Sequence, residues 1–431
     1  MRKLNILILA LLISVISFAQ QTPGDKQSQA ITIEGATAHI GNGQVIENSL
    51  IIFENGKLTF VGSANTKIAR KGNVITASGK HVYPGFIAPN STLGLVEVDA
   101  VRASDDEDEV GAMNPHIRSL IAYNTESKIV ESMRPNGVLM AQITPRGGRI
   151  SGTSSVVQLD AWNWEDAVIK EDDAIHLNWP RNYSRGRWWL GEPNVLKENK
   201  NYSKEVEELS NYFAQSKAYN ANKTSPKDLP FEALHGLIDG SKKLFVHVDY
   251  EKGITDAVNF AKTQNVKYLV IVGGYEANNV SDLLKQHNIP VLLQRVHSRP
   301  KGDDHDYDLP YKLATQLVNS GVLVGLENAG DMERMNTRNL PFLAGTTVAH
   351  GLTKAQALSL ITLNTAKILG VDDSVGSLEV GKDATLFISE GDALDMRTNK
   401  LDKAFIQGRD VSLETHQTEL YKRYSNKYKK N

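Results

Sequence analysis

The sequence predicts an α/β protein: a (β/α)8 barrel carrying a small β-sandwich domain built from both ends of the chain. Three observations carry this expectation. The 431 residues exceed what one small core needs and suit a large barrel plus a minor domain. In the middle of the chain, short apolar runs alternate with helix-like stretches. At both ends the pattern changes to short segments with alternating apolar and polar positions.

The first end is residues 31–81. ITIEGATAHI, SLIIFENGKLTFVG and NVITASGKHVYPG read as strands broken at Gly and Asn, and Glu54-Asn55-Gly56 marks a two-residue hairpin because Asn-Gly tolerates positive φ. The pattern returns over 372–412, in GSLEVGKDATLFISEGD and KAFIQGRDV. Residues 82–371 then form the barrel. KLFVHV, YLVIVGG, IPVLLQRVH and GVLVGLEN are near-continuous apolar strands of the kind buried on both faces of a parallel sheet. A doubly wound open sheet is the rival architecture, but no glycine-rich phosphate loop supports it. Residues 176–230 are polar and read as an insertion, and ALSLITLNTAKILGV (357–371) reads as one amphipathic helix.

Composition excludes several classes. Hydrophobic residues make up 41% and charged residues 23%, with a net charge of −2, so no global field draws nucleic acid or an anionic membrane. Cysteine is absent, which removes disulfides, thiol catalysis and thiolate-held metals. Residues 1–20 have a basic start at Arg2 and Lys3, an apolar stretch and a small residue, Ala19, before Gln20. This reads as a signal peptide and predicts export to a periplasmic or secreted location, with no integral membrane span expected after its removal. No Gly-x-Ser-x-Gly elbow or Walker loop is present.

Val82-Tyr83-Pro84-Gly85-Phe86-Ile87 resembles the entry to the first barrel strand of the amidohydrolase superfamily. GNGQVIENSLIIFENGKLTFVG and LITLNTAKILGVDDSVGSLEVGKDATLFI are similar to the N-terminal β-domain and the closing segment of its imidazolonepropionase-like branch. The resemblance implies hydrolysis of non-peptide C–N bonds in small amide or peptide-like compounds, at one or two divalent metals in the barrel mouth. Such a metal lowers the pKa of bound water from about 15.7 to about 7 and polarises the carbonyl. The family's ligands are a His-x-His on strand 1, a His on strand 5, a His on strand 6 and an Asp on strand 8.

At those positions this chain has Asn90, Thr92, His247, Gly273 and Asn328. Amides and hydroxyls are poor zinc ligands, glycine offers no side chain, and an amide cannot serve as the carboxylate base. Only His247 keeps its chemistry, so four of the five positions are substituted and catalysis is in question. Restoring the lost side chains is expected to rebuild metal binding. Adjacent strand residues face opposite sides, so Glu327 is expected to point away from Asn328. His297, His305, Glu327 and Asp331 are further candidate pocket residues, and Glu333 can reach the mouth from its loop. The acidic run 105–109 reads as solvated.

Three functions remain. The first is an exported protein without the family metal, serving as a binding protein for a small amide or peptide-like ligand, or as a partner in a homo-oligomer or with an active homologue. The second is an active C–N hydrolase rebuilt around His247, the one reading that calls for zinc. The third is a structural protein with a vestigial pocket.

Overall fold

A computed structural model describes residues 21–187, 190–193, 195–222, 226–330 and 332–429. The expected signal peptide at 1–20 and Asp331 lie outside the described residues.

Eight strands form one sheet in chain order: β1 Phe86–Ser91, β2 Val138–Ile143, β3 Ile150–Gln158, β4 Val168–Asn178, β5 Lys243–Val248, β6 Leu269–Gly273, β7 Val291–Leu293 and β8 Val324–Leu326. Strands β4 to β8 pair in parallel, as do β1 and β2. β3 runs antiparallel to both of its neighbours. The parallel βα alternation therefore breaks on both sides of β3. Between β2 and β3 there is no crossover helix, only the loop Thr144–Arg149, where Gly147 and Gly148 adopt positive φ.

The sheet curls into a nearly closed barrel. Its open seam lies between β8 and β1, and residues 360–361 fill part of it: Leu326 N–H donates to Leu360 O, and Ile87 N–H donates to Ile361 O. This explains a difference from the single helix expected over 357–371. The helix is split into Lys354–Ser359 and Leu363–Leu369, because the carbonyls between them serve the seam.

Ile87, Met140, Val156, Ala174, Phe245, Val270 and Leu292, one from each of β1 to β7, form an apolar plug inside the barrel, sealed below by Ile368 and Leu369. A larger shell, including Leu139, Ile175, Val246 and Ile271, packs the outer strand faces against the helices. The alternation along each strand thus divides inner plug from outer shell.

The β-domain comprises a four-stranded sheet from residues 31–76 and a six-stranded sheet that joins His81–Pro84 to Leu386–Ser389 and Leu401–Ile406. Ile33, Ile51, Phe53, Val82, Leu386 and Phe405 form the core between them. The hairpin expected at Asn55-Gly56 is present, with φ of 51° and 78°. The polar segment expected as an insertion from residue 176 begins inside β4. After Asn178 it forms a small hairpin, Tyr183–Arg185 with Leu196–Glu198, and then α1, Tyr202–Asn222. Among the described residues no helix is long and apolar enough to cross a membrane.

Candidate functional site

One residue pair above the apolar plug, the inner faces of β2 to β5 turn polar. Met140 on β2 is followed two positions on by Gln142, Ala174 on β4 by His176, and Phe245 on β5 by His247. On the reversed β3, Val156 is preceded by Ser154. The two-residue step keeps these side chains on the inner face.

They form one hydrogen-bonded layer. His247 Nε2 lies 2.9 Å from His176 Nδ1, and His176 Nε2 lies 3.0 Å from Ser154 Oγ. The Ser154 hydroxyl donates to Asp173 Oδ1 at 2.8 Å, and Gln142 Nε2 donates to Asp173 Oδ2 at 2.8 Å. With the Ser154 proton directed to Asp173, His176 Nε2–H donates to Ser154, and His247 Nε2–H donates to His176 Nδ1. Burial and then the charge of Arg146 push the His247 imidazolium down to about 3, so the ring is neutral. Burial pushes His176 down and Asp173 up.

The strand-1 positions join this layer from the other side. Asn90 is buried with a left-handed φ of 51°, a conformation that asparagine tolerates. Its N–H donates to Gln142 Oε1 at 3.1 Å, and its Nδ2 donates to Glu327 Oε2 at 2.8 Å. Thr92 donates through N–H and hydroxyl to Glu333 Oε1, at 2.7 and 2.8 Å. Arg146, from the β2–β3 loop, closes the arrangement. Its guanidinium donates to Asn90 Oδ1 at 2.9 Å, to Asn90 O at 2.8 Å and to Glu333 Oε2 at 3.0 Å.

Glu327 departs from expectation. β8 ends at Leu326, so strict alternation stops before residue 327, and the carboxylate turns inward to meet Asn90. Burial pushes its pKa up to about 7, against the hydrogen bonds from Asn90 and the Ala329 N–H. Asn328 is also buried and donates to Glu333 O at 3.2 Å.

Gly273 ends β6 with φ of +94°, and a Cβ there would lie 2.7 Å from Asp249 Oδ1. The expectation that a histidine can be restored at this position therefore meets a backbone conformation that disfavours any side chain, while Asp249 would have to swing aside. Nor do His297 and His305 enter the layer. His297 bonds Thr346 Oγ1 at 2.7 Å, and His305 bonds the Tyr275 hydroxyl at 2.8 Å. His305 does line a groove of about 630 Å³, together with Tyr183, Tyr250 and Lys301. The acidic run is less solvated than expected at one point: half-buried Glu107 accepts the Arg146 N–H through its carbonyl.

Among the described residues, no group of three or more His, Asp or Glu side chains is placed to hold a metal ion. The donor chemistry at the family positions points the same way. Asn90 and Thr92 are committed to Glu327, Arg146 and Glu333, and one His247 nitrogen is committed to His176. These residues do not fit the family's divalent centre.

Arg146, Gln142, Ser154, Asp173 and His176 escaped the sequence reading. The two-residue step from the apolar plug is the signal that marks three of them. Nothing local marks Arg146, whose partners lie 56 and 187 residues away.

Comparison with known proteins agrees with this architecture. Residues 233–413 match the model of the amidohydrolase family. Over 114 residues the chain is 34% identical to Amidohydrolase tasK of Hapsidospora irregularis, a match that spans 24% of this chain and 11% of that protein. An amidohydrolase from Thermotoga maritima MSB8 shares the fold with a TM-score of 0.77 at 23% identity, over 89% of this chain and 99% of the other. A Xaa-Pro dipeptidase with bound methionine (TM-score 0.55, 13% identity, 89% and 100% covered) and molinate hydrolase (0.54, 13%, 90% and 96%) share it more distantly. Barrel and β-domain together give the fold of an amidohydrolase-type α/β barrel. Residues 233–413 are thus similar to the amidohydrolase family in sequence, and the chain shares the fold of an amidohydrolase.

Proposed function

We infer that this protein is an exported amidohydrolase-family member that has lost the family's metal centre and acts as a binding or partner protein for small amide or peptide-like compounds. One observation carries the reading: the Arg146 guanidinium is bonded to Asn90 and, through Glu333, to Thr92, the two strand-1 positions where the family places its first metal ligands. A fixed monocation held by a carboxylate and an amide supplies positive charge to the mouth. It cannot activate water as a divalent Lewis acid does. The groove beside His305, Tyr250 and Lys301, within the size range of small-molecule sites, offers a place for a ligand outside this closed layer. Export rests on the Arg2-Lys3 start and the apolar stretch after it.

Elemental analysis of protein purified from metal-supplemented culture tests the reading. The expected content of zinc, manganese and iron is far below one per chain, with cyclic dipeptides and N-acyl amino acids hydrolysed only at background. Near-stoichiometric metal overturns it.

Glu327 favours a second reading, a hydrolase rebuilt around His247. A buried carboxyl with a pKa of about 7 is matched to general-base work. Hydrolytic activity abolished by both Glu327→Gln and His247→Ala would establish it.

A further inference from the structure

The opposite end of the barrel carries a second cavity, of about 640 Å³. It opens at the N-terminal ends of the strands, where Lys243 begins β5 and Leu269 begins β6, with Pro290 just before β7 and Leu323 just before β8. Helix α2, Glu251–Thr263, forms one wall, and helix α3, Leu363–Leu369, contributes Lys367 and Ile368.

Its lining is sharply divided. The floor is hydrocarbon: Val258, Ala261, Leu269, Val270, Ile289 and Ile368 are all buried. The polar rim is cationic, with Lys243, Lys262, Lys267 and Lys367 joined by His287, and no aspartate or glutamate lines the cavity. Two of these lysines have backbone partners. Lys243 Nζ donates to Lys367 O at 3.2 Å, and Lys267 Nζ donates to Asp239 O at 2.7 Å. Lys262 and Lys367 are exposed and, among the described residues, make no side-chain hydrogen bond or ion pair.

Four ammonium groups around one opening repel each other, and nothing in the lining neutralises them. A low-dielectric floor beneath them strengthens their field. The complementary molecule carries one anionic head and an apolar body. Neutral apolar molecules leave the rim unsatisfied, and multiply charged hydrophilic anions leave the floor wet. The volume lies in the range of small-molecule sites.

We propose that this basal cavity, bounded by Lys262, Lys367 and the hydrocarbon floor of Leu269 and Ile289, is a binding site for an amphiphilic monocarboxylate. It is separate from the polar layer at the mouth, and it stands whether or not that layer holds a metal.

Octanoate is the probe, and octanamide is the control with the same body and no charge. Titration calorimetry on the purified protein is expected to show one octanoate per chain, weakening as salt rises, with octanamide bound at least about tenfold more weakly. The Lys262→Glu/Lys367→Glu double variant changes two exposed positions, so its melting temperature should be unaltered while octanoate affinity falls about tenfold or more. Arg146→Met should leave octanoate binding intact. Equal affinity for octanoate and octanamide, no binding of octanoate, or unchanged binding in the double variant overturns the proposal. So does loss of binding in Arg146→Met with the fold retained, which would move the site to the mouth.

Discussion

Arg146 grips Asn90 at two points, donating to its side-chain carbonyl at 2.9 Å and its main-chain carbonyl at 2.8 Å, and the same guanidinium reaches Glu333 at 3.0 Å. One side chain from the β2–β3 loop thereby ties the end of β1 to the loop after β8, across the barrel's open seam. The family's metal would join the same strands. The guanidinium makes this join with a planar fork of donors.

Arg146→Met should therefore destabilise the fold by about 2–3 kcal/mol. It leaves buried Glu333 and the Asn90 carbonyls without their cationic donor, and a partner stranded in a dry site costs more than a surface ion pair is worth. Urea unfolding measures this. A loss under about 0.5 kcal/mol, the range of an ordinary surface substitution, would mean that the mouth does not depend on the guanidinium.

Gly273 limits any attempt to rebuild a metal site. Gly273→Ala alone is expected to cost about 1–3 kcal/mol, since φ of +94° disfavours any side chain. The combined Asn90→His, Thr92→His, Gly273→His and Asn328→Asp variant should consequently be strongly destabilised and bind no stoichiometric zinc by elemental analysis. A folded variant with one zinc per chain would show that β6 tolerates the side chain after all.

The inserted helix α1 is tethered through a buried relay. Trp179 Nε1 donates to the Tyr202 hydroxyl at 3.0 Å, and that hydroxyl donates to Asp256 Oδ2 at 2.6 Å. Tyr202→Phe strands the indole N–H and should cost about 1–2 kcal/mol. Hydrogen exchange should rise first in 202–222. Unchanged exchange there would show that the relay does not hold the helix.

The β-domain should carry an acid-side sensitivity. His39 Nε2 lies 3.0 Å from His81 Nδ1, and the His39 ring stacks on Tyr83. Burial, followed by the neighbouring His81, pushes His39 down to about 4, and burial lowers His81 as well. Between the ordinary histidine value of about 6.5 and about 4 the unfolded chain binds more protons than the native one. Stability contributed by the neutral pair is thus present above pH 6.5 and is lost as pH falls through that window. Urea midpoints from pH 7 to pH 4 should fall less steeply for His39→Gln than for the parent chain. Parallel curves would exclude the pair as the cause.

The architecture was legible because it rests on short-range patterns. Apolar runs such as LVIVG announce strands covered on both faces, and Asn55-Gly56 announces a hairpin, whatever lies elsewhere in the chain. Asn90, Thr92, Gly273 and Asn328 were singled out by the motifs that flank them. Two local expectations failed where a distant partner intervened: the helix at 357–371 gave up its carbonyls to the barrel seam, and Glu327 turned inward once β8 had ended.

By itself, then, the sequence determined an amidohydrolase-like barrel, its composite β-domain and the residue types at positions 90, 92, 273 and 328. Only the tertiary structure decided which partners those residues and their neighbours meet. Arg146 meets Glu333 across 187 residues, and His247 meets His176 across 71. Such pairings depend on how strands close around a common axis, a geometry that no periodicity along the chain encodes.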